Sequence, residues 1–500
     1  MIATRRRSAG LRASSRSTTP RLLGLLAGLA MGAPALAGGS AEHTLLIIDP
    51  TNADSMYIGN YYKHARGIPD ANVVYMAPGA IDYPAFVATN QPALLGTMAH
   101  RQLTDHIDQI VIAATDVFYI DAPGLVADGC VPVRRFSITG AYSIMPISSD
   151  VLAGVQSSQR NGYYQNSQTP RAFSAQSGWS GGVPSSSGDK SYLVASLGYL
   201  GERGNTTSEI LDLIDRSVLA DGSFPAGTFY FMQTNDSDRS SPRHGAYPGT
   251  VADIIALGGQ AQHITGQVLP GGSHDCLGIM TGAASPNIDG SDITIIPGAF
   301  CDHLTSWAAT FDKSQQVKVS RWIVKGASGS WGQVEEPCNY AGKFPIANIH
   351  TNYFQGLSLG EAIFRSVSFV PFQGLLYGDP LTQPFTHIPV VDMPDLPAMA
   401  DGTGPLFLAY TGSTTHPTAG VSSFELIVDG DKLADVFSPF PLVLPAHLLA
   451  TGWHEVRLLG KDNTNIKAAG SFVGAIEIVR PDTSLALAAA GPTAGDLDTA

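Results

Sequence analysis

The chain has 500 residues and a formal net charge of −13, and only 14% of it is charged, against roughly 25% in an average domain. An acidic chain with no Lys/Arg cluster in its mature part cannot neutralise a run of phosphates, which excludes nucleic acid as a partner. Its length suffices for a large core and at least two domains.

Arg5, Arg6, Arg7, Arg12 and Arg21 precede an apolar run from Leu22 to Met31, followed by Ala35-Leu36-Ala37. A basic head, a short apolar stretch and an A-x-A site predict a signal peptide over 1–37, removed after Ala37. The run is about ten residues, too short for a spanning helix of roughly 20. The Arg5-Arg6 pair leaves general and twin-arginine export both open. No later run could cross a bilayer, so a secreted, periplasmic or cell-surface protein with no membrane span is expected.

HTLLIIDP (43–50) reads as a buried strand ending in a turn, and 52–69 as a helix capped by Ser55 and stopped by Gly67. A strand near 72–76, a helix near 92–107 and a strand at 107–120 continue the alternation, which is the pattern of parallel strands joined by crossovers. Residues 151–190 break it with Ser, Gln, Gly and Asn, and are expected to be a mobile surface insertion, with a lid as the second option.

Alternation resumes at SYLVASLGYLG (191–201) and runs to about 385. It passes through a helix at TSEILDLIDRSVLADG, a strand at 227–234, a helix at 248–258, and strands at 262–268 and 277–282. The expected fold is α/β, a doubly wound, mostly parallel sheet over 41–387. A Pro-rich linker (388–403) leads to short strands over 404–480, which predict a small C-terminal Ig-like β-sandwich with Asp429-Gly430 as a tight turn. The Ala/Gly/Thr-rich tail, 481–500, reads as disordered.

Cys130, Cys276, Cys301 and Cys338 allow three full pairings in an oxidising compartment, and one or two disulfides are expected. None has the C-x-x-C spacing of a zinc site, and no metal or other cofactor is expected.

Chemistry-bearing residues concentrate between Pro297 and Pro384. Cys301 and His303, two apart on a strand, can share a face, and a base beside a thiol makes a nucleophile. Ser306 is a second candidate nucleophile, and Asp302, Glu335 or Glu336 could orient His303. The paired carboxylates Glu335 and Glu336 could also act as acid and base, although sequence neighbours usually point apart. The plainer alternative is that His303 and Ser306 tie loop backbones together. Asp379 in YGDP reads as a turn residue, and Asp236 and Asp238 as a cation loop or a solvated turn. His274-Asp275-Cys276 is a further cluster. No G-x-S-x-G, H-E-x-x-H or phosphate loop occurs.

Six segments, LLIIDPTNADSMYIGNYYKHARGIPDANV, SYLVASLGYLG, PGAFCDHLTSW, KGASGSWGQVEEP, LGEAIFRSV and YGDPLTQPF, span about 44–385. In their order the chain resembles a secreted bacterial family of unassigned biochemistry associated with exosortase sorting. The architecture also looks like the caspase/gingipain type of cysteine peptidase, in which His and Cys end neighbouring parallel strands. That resemblance implies LGIMTGA as the His-bearing strand and ITIIPGAFCDHLTSW as the Cys-bearing one. The first ends here in Thr281-Gly282-Ala283 rather than His-Gly.

Two functions are therefore expected. One is a divergent cysteine-peptidase-like hydrolase in envelope or matrix protein processing, acting on a protein or peptide through Cys301, His303, Ser306, Glu335 and Glu336. The other is a non-catalytic surface binding protein that engages glycan or protein through the C-terminal β-sandwich, with Trp453 and Tyr410 as probes.

Overall fold

A computed structural model describes residues 39–127, 132–154 and 160–480. The expected signal peptide, Cys130 and the expected disordered tail lie outside these residues.

Thr44–Ile48 (β1) reads TLLII and is buried at every position, as befits a strand covered on both faces. Val73–Tyr75 (β2), Gln109–Ile112 (β3) and Leu193–Ser196 (β4) run parallel to it in the order β4-β3-β1-β2. The β1–β2 crossover is helix α1, Ala53–Arg66. Its cap is Asn52 rather than Ser55: the Asn52 side chain accepts from the amides of Asp54 and Ser55, and Gly67 closes the helix at φ 65°. Ser55 lies inside the helix, and its hydroxyl accepts from the Asp49 amide.

Thr228–Gln233 (β5), Gln260–Thr265 (β6), Cys276–Gly282 (β7), Ile295–Leu304 (β8) and Gly329–Gln333 (β9) form a second parallel set, ordered β6-β5-β7-β8-β9. Gly374–Gly378 (β10) joins the two sets into one ten-stranded sheet. It is antiparallel to β9 and parallel to β4. The sheet is thus mixed, with two parallel halves pointing in opposite directions across a β9/β10 seam. Alternation of strands and helices cannot reveal such a seam, because the 334–373 connection carries helices whichever way the next strand runs.

Glycine makes the seam possible. A Cβ on Gly374 would lie 1.9 Å from the Trp331 ring, and one on Gly378, at φ 123°, would lie 2.3 Å from the Ser328 carbonyl. Directly after β10, Asp379 accepts from the Tyr62 hydroxyl (2.7 Å) and from Arg66 Nε (2.8 Å), while its other contact, to the Leu381 amide, shapes the turn. Asp379 therefore ties α1 to the seam as well as turning the chain.

The polar segment before β4 is not a mobile insertion in its described part. Tyr163, Phe173 and Trp179 are buried against Phe364, with Tyr163 and Trp179 rings 4.7 Å apart. The Arg365 guanidinium donates to the carbonyls of Tyr163, Gly182 and Thr169, so one cation satisfies backbone that no ladder reaches. Three buried aromatic rings outweigh the polar composition that suggested a surface loop.

The C-terminal β-region contains Met399–Ala400 (β11), Val421–Val428 (β12), Asp431–Phe437 (β13), Gly452–Asp462 (β14) and Ala469–Ile478 (β15), ordered β11-β15-β14-β12-β13. Two short strand pairs, 390–392 with 411–413 and 406–408 with 442–444, complete it. Phe424, Leu426, Val456, Leu458 and Ile476 form its own core. Asp429 and Gly430 both have positive φ, 52° and 87°, which is the two-residue hairpin turn their sequence predicts.

Candidate functional site

The parallel half β5-β7-β8-β9 brings four strand C-termini to one sheet edge, where loops collect in α/β proteins. At this edge a cleft of about 210 Å³ is lined by Asp238, Arg239, Leu304, Ser306, Glu336 and Phe344 among others. Two residues singled out from the sequence, Ser306 after β8 and Glu336 after β9, meet here. The Ser306 hydroxyl has no hydrogen-bond partner among the described residues.

Helix α2, Ser237–His244, follows β5 and supplies the opposite wall. Asp236 caps it, accepting from the Arg239 amide, and its carboxylate also pairs with the Arg239 guanidinium at 3.0 Å. Arg239 Nε donates to Thr305 Oγ1 (2.9 Å), and Thr305 donates in turn to Gln316 (2.7 Å). Asp236 is thus a helix cap, rather than part of the cation loop or solvated turn that its sequence left open. One turn on, Arg243 is buried, paired with Asp302 of β8, and donates to the Thr281 carbonyl at 2.7 Å. Burial pushes the Asp302 carboxyl up, and the Arg243 charge works against that.

The other predicted residues go elsewhere. Cys301 is buried and unbridged, and its thiol meets that of Cys276 on β7. Burial and the neighbouring Cys276 push it well above the ordinary thiol range. His303 is on the same buried face. Its Nε2 donates to the Val317 carbonyl (3.0 Å) and its Nδ1 accepts from the Trp322 indole N–H (3.0 Å), so it is fixed as the neutral Nε2–H tautomer. Burial pushes it down to about 4. Glu335 points away from Glu336 and accepts from the amides of Arg134 (2.8 Å) and Arg135 (3.1 Å). His274, bonded to Thr294 at 2.9 Å, sits before the first residue of β7, at the opposite sheet edge.

The cleft wall beyond Glu336 is unusual backbone. Cys338 and Asn339 have φ of 57° and 54°, a left-handed conformation that costs a non-glycine residue roughly 1–2 kcal/mol each. Cys338 is disulfide-bonded, and its amide donates to Glu336 at 3.2 Å. Consecutive strained residues are retained where their surroundings over-determine them, and they cluster at functional sites.

Sequence reasoning missed Arg239 and Arg243. The signal was present in Asp236-x-x-Arg239, a cap followed by a basic residue at i+3, but Pro242 disguised the helix. Among the described residues no group of three or more His, Cys, Asp or Glu is placed to hold a metal ion, and no helix is long and apolar enough to cross a membrane.

Fold and cleft together define a mixed α/β protein with a strand-end site. No protein-family model matches the chain, and no curated protein does. Among solved structures, the chain is similar to one described as a protease, at 10% identity and a TM-score of 0.42, over 87% of this chain and 97% of that one. It is also similar to fibronectin(III)-like modules of CbhA from Clostridium thermocellum, at 18% identity and a TM-score of 0.17, over 22% of this chain. The chain spans about half, 53%, of that module structure.

Proposed function

We propose that the protein is an exported, non-catalytic binding protein whose strand-end cleft holds a polypeptide segment. One observation carries this reading: Ser306 and Glu336 share an open cleft, while Cys301 and His303 face the interior on the other side of the sheet. A thiol hydrolase needs its thiolate and base at the substrate. Here the thiol is protonated and buried, and both nitrogens of the imidazole are engaged. In a caspase/gingipain-like arrangement, the β7 and β8 ends would carry the dyad; here they carry Thr281 and Asp302, both bound by Arg243 of α2. Leu304 and Phe344 offer apolar contact, and Asp238 and Glu336 give the rim negative charge because Arg239 is already paired. A peptide with a basic residue next to an apolar one fits that rim.

The test is a peptide array read for binding and for cleavage with the full mature chain. Basic–apolar peptides are expected to bind and remain intact, and Glu336→Lys is expected to weaken them at least tenfold. Cleavage abolished by Cys301→Ala would overturn the proposal and restore the cysteine-peptidase reading.

A second reading rests on Trp453, which is 65% exposed on the outer face of β14 and has Glu477 as its cross-strand neighbour. An exposed indole beside a carboxylate suits stacking on a sugar ring, so the C-terminal β-region would also contact glycan. Retention on polysaccharide resin that survives Trp453→Ala argues against it. Tyr410 is a poorer probe, because its hydroxyl is bound to the Phe440 carbonyl.

A further inference from the structure

The C-terminal β-region rests on the start of β1. Strands β12 and β14 turn Glu425, Arg457, Leu459 and Lys461 away from their own core, and all four are buried. Arg457 reaches Glu42 and the Gly67 carbonyl. At the centre is His43, immediately before β1.

His43 Nδ1 lies 3.0 Å from Asp108 Oδ2, and its Nε2 lies 2.6 Å from Glu425 Oε2. A neutral imidazole carries one N–H, and an ionised carboxylate can only accept. Two such contacts therefore require both nitrogens to be protonated. The surrounding groups agree. Lys461 Nζ is 2.6 Å from the other Glu425 oxygen, and Lys432 is 3.7 Å from that oxygen and 3.3 Å from Asp435. Asp108's second oxygen accepts from Ser174 Oγ (2.9 Å) and the Ala175 amide (2.7 Å). His106 stands edge-on at 5.9 Å, pushed down by burial and by His43, and pairs with the solvent-facing Asp105. His43, Lys432 and Lys461 thus balance Asp108, Glu425 and Asp435 only while His43 is charged.

We propose that His43 is a pH-operated latch: protonated, it fastens the C-terminal β-region to the α/β sheet, and on losing a proton it turns a lone pair toward a carboxylate oxygen and releases that contact. Burial alone would lower its affinity for a proton, but the Glu425 charge and the bonds to Asp108 and Glu425 outweigh burial and raise it above 6.5. A raised histidine contributes fully below pH 6.5, and its contribution is lost as pH rises through the raised value. Glu425 is held well below the usual carboxylate range by His43 and Lys461 despite its burial, so mild acid leaves the latch shut. Release widens a cavity of about 230 Å³ that already opens to solvent between the two regions, lined by Glu42, Arg66, Asp221, Gln383, Leu459 and Ser471.

The experiment is hydroxyl-radical footprinting of the full chain at pH 6 and pH 9.5, read at Leu459. Oxidation is expected to rise at least threefold in the wild type and to stay flat in Asp108→Asn. In that variant the amide oxygen keeps the Ser174 and Ala175 bonds, and the amide nitrogen donates to Nδ1 of a neutral ring. Equal protection of Leu459 at both pH values in the wild type, or an Asp108→Asn variant that tracks it, overturns the proposal. If that variant does not fold, the His43 ring is followed by NMR in the wild type. Deprotonation in step with Leu459 exposure supports the latch, and a ring neutral at pH 6 overturns it.

Discussion

The Trp322 indole N–H donates to His303 Nδ1 at 3.0 Å, and that bond decides what His303 can do. A ring whose Nδ1 already accepts and whose Nε2 already donates has no lone pair left for a substrate proton. Trp322→Phe removes the donor and leaves a buried acceptor unmet, at a cost of about 1–3 kcal/mol. The His303 titration, followed by NMR, should move up from about 4, because the bond that favoured the neutral ring is gone. An unchanged titration would mean that burial and the nearby Arg243 and Lys318 charges set it.

His303 and His350 together predict sensitivity to acid. Burial pushes His350 down to about 3, and its two ring nitrogens have no partner among the described residues. Both groups stay neutral in the fold while the unfolded chain takes protons below pH 6.5, so stability falls from pH 6.5 toward pH 3–4. For His303 alone the loss is about 3 kcal/mol, at 1.36 kcal/mol for each unit of displacement. His350→Leu should flatten part of this fall in urea titrations at pH 4 and leave stability at pH 7.5 nearly unchanged.

Cys301 should be silent toward soluble thiol reagents in the native protein and react fully in denaturant, as followed by mass spectrometry. Cys301→Ala should cost about 1–2 kcal/mol through lost packing, with peptide binding intact. Rapid native labelling at neutral pH would show that the thiol reaches solvent.

The fold was legible wherever local pattern decides structure. TLLII, the Gly67 stop and the Asp429-Gly430 turn act through neighbours in sequence, and each appears as the residues dictate. The shared edge after β8 and β9 was legible for the same reason, because adjacent parallel strands place their following loops together. Facing was not legible. Cys301 and His303 do share a strand face, but both faces of β8 are buried at this end, and the indole that engages His303 comes from Trp322, on a later element. The packing of Tyr163 and Phe173 between Trp179 and Phe364 was hidden too, since polar composition outnumbers three aromatic residues without outweighing them. Long-range charge pairs such as His43–Glu425 leave no local trace at all.

The Arg66–Asp379 contact offers the sharpest stability test, because Arg66 also pairs with Asp221. Removing one partner of a buried ion pair leaves the other uncompensated, typically at a cost of 3–5 kcal/mol. Arg66→Ala should therefore destabilise by about that amount in urea at pH 8. Burial already pushes the Asp221 carboxyl up to about 6, against the pull of Arg66. Without the guanidinium it rises further, and a carboxyl raised in the fold loses stability as pH rises above its unfolded value. The variant should accordingly recover part of its deficit at pH 5, where Asp221 can bind a proton. Asp379→Asn added to Arg66→Ala should cost less than the sum of the two single changes, since a neutral amide does not miss the cation. A pH-independent deficit for Arg66→Ala, or strict additivity with Asp379→Asn, would show that Arg66 holds α1 to the seam by packing rather than by charge.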